Sequence, residues 1–357
     1  GASCIYAGSW LEGAGAVFAE NEALRWLADV AGLPPEAGGV FVSGGSAGNL
    51  AGLVAARHTW RRSDERFERV RGMVVSGPGA HSSIASAARV MDADVMAAGG
   101  DERDRLTGTT LSATLDSLDP HDAARTFAVV ATAGTTNAGI IDDLDGVGRV
   151  CEDRGLWLHV DGAYGGGAMV APSARPKFRG IEQADSLVID PHKWLFAPFD
   201  CAAVLYRDPA LARTAHTQHA EYLDVLAEGH EWNPSDFAYH LTRRARGLPF
   251  WFSLASHGTR NYEEAVEQTL VVAREAAGLV EDCPHTELLA EPELSVVLFR
   301  RIGWSAEQYQ AWSDRVLAEG LTLTVPTAWK GETCLRFCFV NPRTSANDVQ
   351  LILDSLA

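Results

Sequence analysis

The chain has 357 residues, of which 46% are hydrophobic, and it carries a formal net charge of −17 with a pI near 5.0. This length and this share of hydrophobic residues predict a large core and two domains. The acidic balance argues against nucleic acid or an anionic membrane surface as a partner.

Neither a membrane span nor a secretory segment is predicted. No run of about 18 apolar residues occurs, and the start of the sequence lacks a basic stretch followed by an apolar one. The six cysteines are scattered through apolar segments, which is typical of reduced, buried thiols. We therefore expect a cytoplasmic protein.

The first part of the chain alternates helices and strands. After a loop over residues 1–13, a helix is predicted at 14–31, ended by Gly32, with an apolar face of Phe18, Leu24, Leu27 and Val30. Strands follow at 39–43, 73–75, 127–132, 158–161, 186–189 and 202–206, and the helices among them end near residues 60, 90 and 154. This order predicts a mainly parallel sheet with helices on both faces.

The second part of the chain has a different pattern. Residues 216–236 are polar and predict a loop, and a long helix is predicted at 249–280. Strands at 296–300, 321–325 and 335–340, with helices at 306–318 and 346–356, indicate an α+β domain. We divide the chain into an N-terminal loop and helix at 1–31, a large domain at 32–280 and a small C-terminal domain at 281–357.

A lysine follows a predicted buried strand in the stretch Asp190-Pro191-His192-Lys193-Trp194. Pro191 ends that strand because it lacks a backbone donor. Ligands of α/β proteins bind at such strand ends, and lysine amines form Schiff bases with carbonyl substrates and with pyridoxal phosphate (PLP). A surface lysine beside a packing tryptophan is the alternative interpretation.

Asp161 ends an earlier apolar strand and precedes Lys193 by 32 residues (193 − 161 = 32). This spacing leaves room for one strand–crossover–strand unit. A carboxylate buried at a strand end requires a cationic partner, and the protonated pyridine nitrogen of PLP is one. A helix cap or a turn residue is the alternative role for Asp161.

Gly44-Gly45-Ser46 joins a predicted strand to a predicted helix. Glycines let the backbone approach an anion, and a helix N-terminus presents N–H groups to it. The run therefore indicates a phosphate site, with a plain turn as the commoner alternative.

These stretches, with Gly79-Ala80-His81-Ser82-Ser83 and Gly134-Thr135-Thr136, resemble the PLP-dependent group II amino-acid decarboxylases. That family includes the aromatic-amino-acid, glutamate and cysteine-sulfinate decarboxylases, and its motifs occur here in the family's order from about Trp10 to the C-terminus. The resemblance implies an α/β fold of fold-type I, with a mainly parallel seven-stranded sheet, helices on both faces and a small α+β C-terminal domain.

The resemblance also implies a role for each matched residue. Lys193 forms the Schiff base with PLP, Asp161 pairs with the pyridine nitrogen, and Gly45 and Ser46 bind the phosphate. The other cofactor-binding residues that it implies are His81, Thr136, Ala163, Asp190 and His192. The catalytic residues that it implies are Lys193, His81, His192 and Tyr222, with Tyr222 in the polar loop as the proton donor.

Two features depart from the family pattern. Asp190 stands where several members have Asn near the phosphate, so we expect it to accept local N–H bonds. The family's N-terminal helical segment has no match before Trp10, so we expect a truncated N-terminal segment.

The sequence therefore predicts PLP-dependent decarboxylation of an L-amino acid to an amine and CO₂, in a homodimer with shared active sites. Which amino acid is used stays open. Alternatives are a PLP aldehyde synthase, a carbon–carbon lyase on the same fold, and a non-catalytic regulatory partner. A nucleotide-binding protein lacks its expected Gly-x-Gly-x-x-Gly run, and His216, His219 and His230 lack the acidic support expected of a metal site.

Overall fold

A computed structural model describes residues 5–218 and 232–357. The larger sheet has seven strands: β1 Gly38–Val42, β2 Met73–Ser76, β3 Asp94–Ala97, β4 Thr126–Thr132, β5 Trp157–Asp161, β6 Ser186–Ile189 and β7 Ala202–Tyr206. Their order is β3-β2-β4-β5-β6-β7-β1. The five strands from β3 to β6 are parallel, and β7 is antiparallel to β6 and to β1. This sheet confirms the predicted α/β class.

Burial explains which strands the sequence reveals. Every residue of β1, β2, β4, β5, β6 and β7 is buried, as in parallel sheets covered on both faces, and such strands are continuous apolar runs. The edge strand β3 alternates between half-buried and exposed residues, and it was not predicted.

Helices cover both faces of this sheet. They are α1 Trp10–Ala31, α2 Gly45–Ser63, α3 Ser82–Val90, α4 Gly108–Asp116, α5 Pro120–Arg125, α6 Leu144–Arg154, α7 Pro191–Trp194, α8 Pro209–His216, α9 Leu248–His257 and α10 Thr259–Asp282. None of the described helices is long and apolar enough to cross a membrane.

Helix α1 begins earlier than predicted, because Ser9 caps it by accepting the Glu12 N–H. The predicted apolar face is wrong at Phe18, which is 51% exposed, whereas Leu24 and Leu27 are buried. The buried stripe follows Val17 and Leu24 at helical spacing, and Phe18 lies one residue off it.

The region after β7 also differs from the prediction. His216 is not in a loop: it is buried at the end of α8. Residues 234–236 form a short 3₁₀ helix, and residues 219–231 lie outside the described part of the chain. The single helix predicted at 249–280 is two helices, because Gly258 adopts a φ of 77° between α9 and α10.

A four-stranded antiparallel sheet forms the C-terminal part of the fold. Its strands are β8 Thr286–Ala290, β9 Val296–Arg301, β10 Thr327–Trp329 and β11 Glu332–Cys338, in the order β10-β11-β9-β8. The helices α11 Ala306–Ala318 and α12 Ala346–Asp354 accompany it.

The strand predicted at 321–325 is wrong. Leu321, Leu323 and Val325 are exposed, so their alternation marks no buried face, and the hairpin strand β10 comes after them. Strand β8 was not predicted.

Apolar residues form separate cores on the two faces of the large sheet and a third core around the small sheet. Helix α10 joins two of them: Val266 and Leu270 pack in a core of the large sheet, and Val272 and Val280 pack with the small one. The division at residues 31 and 280 stays a prediction.

A buried ion pair fastens α1 to the end of β1. Arg243 donates to both carboxylate oxygens of Glu20, at 2.7 and 3.0 Å, and to the backbone oxygens of Ala7 and Phe41. Glu20 also accepts the Gly247 N–H at 2.7 Å. The pair therefore fixes the strand end from which the Gly44-Gly45-Ser46 run departs.

We predict that Glu20→Gln lowers the free energy of unfolding by about 3–5 kcal/mol, because it leaves the buried Arg243 charge without its partner. Urea unfolding measures the loss. The control is Asp29→Asn, which breaks the exposed Arg25–Asp29 pair and should cost less than about 1 kcal/mol. Equal losses of unfolding free energy in the two variants would show that the buried pair stabilises the fold no more than the exposed pair does.

Candidate active site

The candidate site lies where parallel strands end at one edge of the large sheet. Thr132 at the end of β4 is in register with Asp161 at the end of β5, and Asp161 is in register with Val188 of β6. The segments after these strands therefore meet around one cavity of about 180 Å³.

Every predicted cofactor-binding residue lines this cavity. They are Gly45, Ser46, His81, Thr136, Asp161, Ala163, Asp190, His192 and Lys193. The structure brings these residues together, and their individual roles stay predictions. Tyr222 lies outside the described residues.

Lys193 is carried by the short helix α7, directly after β6. Its Nζ lies 3.1 Å from Asp190 Oδ2. The neighbouring Trp194 is fully buried, donates its indole N–H to Thr269 at 3.0 Å and stacks on Tyr164 at 5.0 Å. This anchoring fixes the backbone that bears the lysine amine.

Asp190 faces the N-terminus of α2. Its Oδ2 accepts the Gly45 N–H at 3.1 Å, so it accepts a backbone N–H bond as expected, from a residue 145 positions away in the sequence. Its Oδ1 is buried and has no hydrogen-bond partner in the described structure. A Cβ on Gly45 would lie 3.0 Å from both Ala163 Cβ and Asp190 Oδ2, so this close approach requires glycine.

Asp161 is a buried carboxyl group at the end of β5. Its Oδ1 accepts the Ala163 N–H at 3.1 Å, and its Oδ2 accepts from the Asn49 amide at 2.9 Å. Burial raises the pKa of Asp161, and these two donors act against the rise by favouring the charged form. A cation placed in the cavity would complete this site electrostatically.

The two histidines of the cavity have different environments. His81 is the N-cap of α3, where its Nδ1 accepts the Ser83 N–H at 3.2 Å. His192 is half-buried with a side chain that is 6% exposed, and its Nδ1 accepts the Cys201 N–H at 2.9 Å. In the neutral state each ring therefore carries its hydrogen on Nε2, and in His192 that atom lies 3.5 Å from Asp190 Oδ2.

The loop after β4 connects the cavity to the small sheet. Arg336 of β11 donates to the Thr136 backbone oxygen at 3.0 Å. Gly134 has a φ of 106°, and a Cβ there would lie 2.9 Å from Gly165 Cα, so both conformation and packing require glycine.

Sequence reasoning missed a buried polar group behind Asp161. Asn49 bonds to Asp161, and the fully buried His159 bonds to Asn49 at 2.9 Å. Both positions were visible as polar residues in apolar elements, since Asn49 ends the Gly44–Asn49 run and His159 precedes Asp161 by two residues. Spacing alone does not reveal that they touch.

Among residues 5–218 and 232–357, no group of three or more His, Cys, Asp or Glu side chains is placed so that it could bind a metal ion. His216 instead bonds to the Ala51 backbone oxygen at 3.1 Å.

Comparisons with known proteins give consistent matches. The family model of the pyridoxal-dependent decarboxylase conserved domain matches residues 10–302. The aromatic-L-amino-acid decarboxylase of Bacillus atrophaeus is 30% identical over 362 residues, which cover 98% of this chain and 74% of that protein. The L-2,4-diaminobutyrate decarboxylase of Rhizobium meliloti is 29% identical over 370 residues, covering 98% and 71%.

The fold is also similar to that of a solved structure. Oryza sativa TDC with PLP and tryptamine superposes with a TM-score of 0.91 at 26% identity, covering 99% of this chain and 79% of that one.

We predict that neutral His159 makes stability depend on pH. Burial lowers its pKa from 6.5 to about 3, so between these values the unfolded chain binds a proton that the folded protein does not. The stabilisation is complete above the unfolded pKa and is lost as the pH falls toward 3, at about 1.4 kcal/mol per pH unit. Urea unfolding of the parent and of His159→Gln at a series of pH values measures this.

The stability advantage of the parent over His159→Gln should shrink steadily on acidification. A difference that stays constant between about pH 7 and pH 4 would contradict the buried neutral histidine.

Proposed function

The chain belongs to the pyridoxal-dependent decarboxylase family, and we propose from this premise that it converts an L-amino acid to the corresponding amine and CO₂ with Lys193 as the attachment point of PLP. It is a PLP-dependent amino-acid decarboxylase. The observation that carries the Lys193 assignment is that Asp161 ends β5, Lys193 follows the adjacent strand β6, and both line one cavity beside a helix N-terminus.

The residues of the cavity fit the cofactor. Gly44 precedes α2 without a capping side chain of its own, and the Gly45 N–H donates to Asp190 Oδ2, so the start of that helix already binds one anionic group and is suited to a phosphate beside it. The buried Asp161 carboxylate suits a protonated ring nitrogen. The unpartnered Oδ1 of Asp190 can accept a hydrogen bond from a donor group of a ligand, though not from an ionised phosphate.

We assign the following contacts to bound PLP. Gly45 and Ser46 would hold the phosphate, and Asp161 the ring nitrogen. His81 and Ala163 would bound the two faces of the ring, and Thr136, Asp190 and His192 would complete the cofactor site.

When bound, PLP supplies an electron sink for the electron pair released as the bond between Cα and the carboxylate breaks. Asp161 contributes a fixed negative charge, and no reorganisation is needed because its two donors already orient it. Lys193 contributes an amine on the short helix α7, next to the acceptor Asp190.

A proton must reach the substrate Cα after CO₂ leaves. We propose Tyr222 as the donor on the family resemblance and His81 as the group that assists it. His81 is suited to this role because its Nδ1 is already occupied by Ser83, which leaves the hydrogen on Nε2.

The amino acid used is not fixed by the family. The two relatives above are named for aromatic amino acids and for 2,4-diaminobutyrate, which differ in size and charge. We therefore propose the reaction class and a small-molecule amino-acid substrate, which a panel of L-amino acids would identify.

We further propose a homodimer with shared active sites. Helices α1 and α9 lie against each other and expose three large apolar side chains, Leu11, Phe18 and Phe252. This exposure supports the proposal that a partner subunit covers this surface. We also propose a cytoplasmic location, supported by five unpaired cysteines in the described structure.

We predict that borohydride reduction of the PLP-loaded protein labels Lys193. The test is sharp because the sequence has three lysines, Lys177, Lys193 and Lys330. Lys177 donates to the Glu293 backbone oxygen at 2.6 Å and Lys330 to that of Glu102 at 3.2 Å, away from the cavity. Peptide mapping should find the label on Lys193 and none in Lys193→Arg, and a label on either other lysine would refute the assignment.

We predict that Asp161→Asn weakens PLP binding and slows amine formation strongly, since losing one partner of a buried charged pair costs about 3–5 kcal/mol. Titration of the visible absorbance measures the affinity. The control is Asp185→Asn, which removes a half-buried carboxylate just before the opposite end of β6, where it accepts the Leu158 N–H at 2.7 Å. If Asp161→Asn binds PLP as tightly as Asp185→Asn does, Asp161 does not pair with the cofactor.

A further inference from the structure

A line of buried hydrogen bonds runs behind the cavity. The Trp157 indole N–H donates to Ser186 Oγ at 2.8 Å, and Ser186 Oγ lies 2.7 Å from His159 Nδ1. His159 Nε2 lies 2.9 Å from Asn49 Oδ1. The line thus connects the interior of β5 and β6 to α2.

Asn49 divides the line into two branches. Its Nδ2 lies 2.9 Å from Asp161 Oδ2 and 2.9 Å from Ser83 Oγ. Ser83 Oγ in turn lies 2.9 Å from His81 Nδ1. The two branches end on Asp161 and His81, both of which line the cavity.

Donor chemistry gives the line one direction. The Trp157 indole can only donate, so Ser186 Oγ accepts from it and donates its own hydroxyl hydrogen bond to His159 Nδ1. Buried His159 is neutral, because burial lowers its pKa to about 3, and its remaining ring hydrogen is on Nε2, directed to the Asn49 carbonyl. Both amide hydrogens of Asn49 are then free for Asp161 and Ser83.

The second branch fixes the hydrogen of His81. Ser83 accepts from Asn49 and directs its hydroxyl hydrogen to His81 Nδ1, which also accepts the Ser83 N–H. With Nδ1 occupied by two donors, the hydrogen of neutral His81 is on Nε2.

Two glycines of α2 make room for the residues of this line. A Cβ on Gly52 would lie 2.7 Å from the His159 ring, and a Cβ on Gly48 would lie 2.9 Å from a Val188 methyl group. These glycines let α2 approach β5 and β6 closely enough for Asn49 to reach His159 and Asp161 together.

Resting on the proposed function, we propose that Asn49 is a positioning residue that acts through two other groups: it orients the ionised Asp161 and fixes His81 with its hydrogen on Nε2. Only a short side chain with one acceptor and two donors satisfies all three neighbours. Aspartate has no donor and leucine has no polar atom.

The first test is PLP affinity in Asn49→Leu, which keeps a similar side-chain volume. Loss of a hydrogen bond to a charged group lowers affinity roughly ten- to a hundredfold. When the pH is lowered, Asn49→Leu should also lose its affinity for PLP at a higher pH than the parent does. The reason is that Asp161 without the Asn49 amide takes up a proton more readily. The charged groups that act on Asp161, Asp190 and Lys193, are unchanged in this variant.

Two controls separate the branches. Asn261→Leu makes the same substitution at an exposed site on α10, where the amide bonds to the His257 backbone oxygen, and it should bind PLP as the parent does. Ser83→Ala removes the hydroxyl that links Asn49 to His81 and leaves the bond between Asn49 and Asp161 in place. The pH at which the variant loses its affinity for PLP should therefore equal that of the parent.

The second test needs no cofactor. Nitrogen-15 NMR of histidine-labelled, PLP-free protein should show His81 with Nδ1 unprotonated and Nε2 protonated, a preference that weakens in Asn49→Leu. If Asn49→Leu fails to fold, Asn49→Asp keeps the shape and should also bind PLP more weakly.

Parent-like affinity and pH dependence in a folded Asn49 variant would overturn the proposal while leaving the decarboxylase function intact. A His81 hydrogen on Nδ1 in the parent would also overturn it. A parent that binds no PLP would instead refute the proposed function, and the NMR result would still decide the role of Asn49.

Discussion

The structure depends most on the burial of the Asp161 carboxylate at the end of β5. A buried charge is costly unless donors or a cation compensate it. The chain supplies the Ala163 N–H and the Asn49 amide, and burial still raises the pKa of Asp161. The carboxylate is therefore oriented in advance for a cationic ligand group, and the partner that we propose for it is the protonated ring nitrogen of PLP.

This constraint explains why small residues surround the site. Helix α2 must approach β5 and β6 closely for Asn49 to reach Asp161, and Gly48 and Gly52 make that approach possible. The same closeness brings the Gly45 N–H to Asp190, next to Lys193. The contacts of Asp161 and of Asp190 with α2 thus both depend on the same close packing of that helix against the sheet.

Much of this was predictable from the sequence, for a physical reason. Strands buried on both faces are mostly apolar runs, so β5 and β6 could be located. Asp161 ends β5, and the Lys193 segment follows β6 directly. The Gly44-Gly45-Ser46 run marks the start of α2 in the same way.

Other features depend on tertiary contacts that periodicity does not encode. The alternation at 321–325 resembles a strand but faces solvent, and Phe18 lies beside the buried stripe of α1. Asn49 and His159 are polar residues in apolar elements, and only the register of α2 against β5 shows that they bond to each other. Tyr222, outside the described residues, stays a prediction of the family resemblance.

The most direct test of the central claim is a crystal structure of the protein with PLP. We expect continuous electron density from Lys193 Nζ to the cofactor, the ring nitrogen within hydrogen-bond distance of Asp161, and the phosphate at Gly45 and Ser46. Density joining PLP to another lysine, or a ring nitrogen directed away from Asp161, would contradict it.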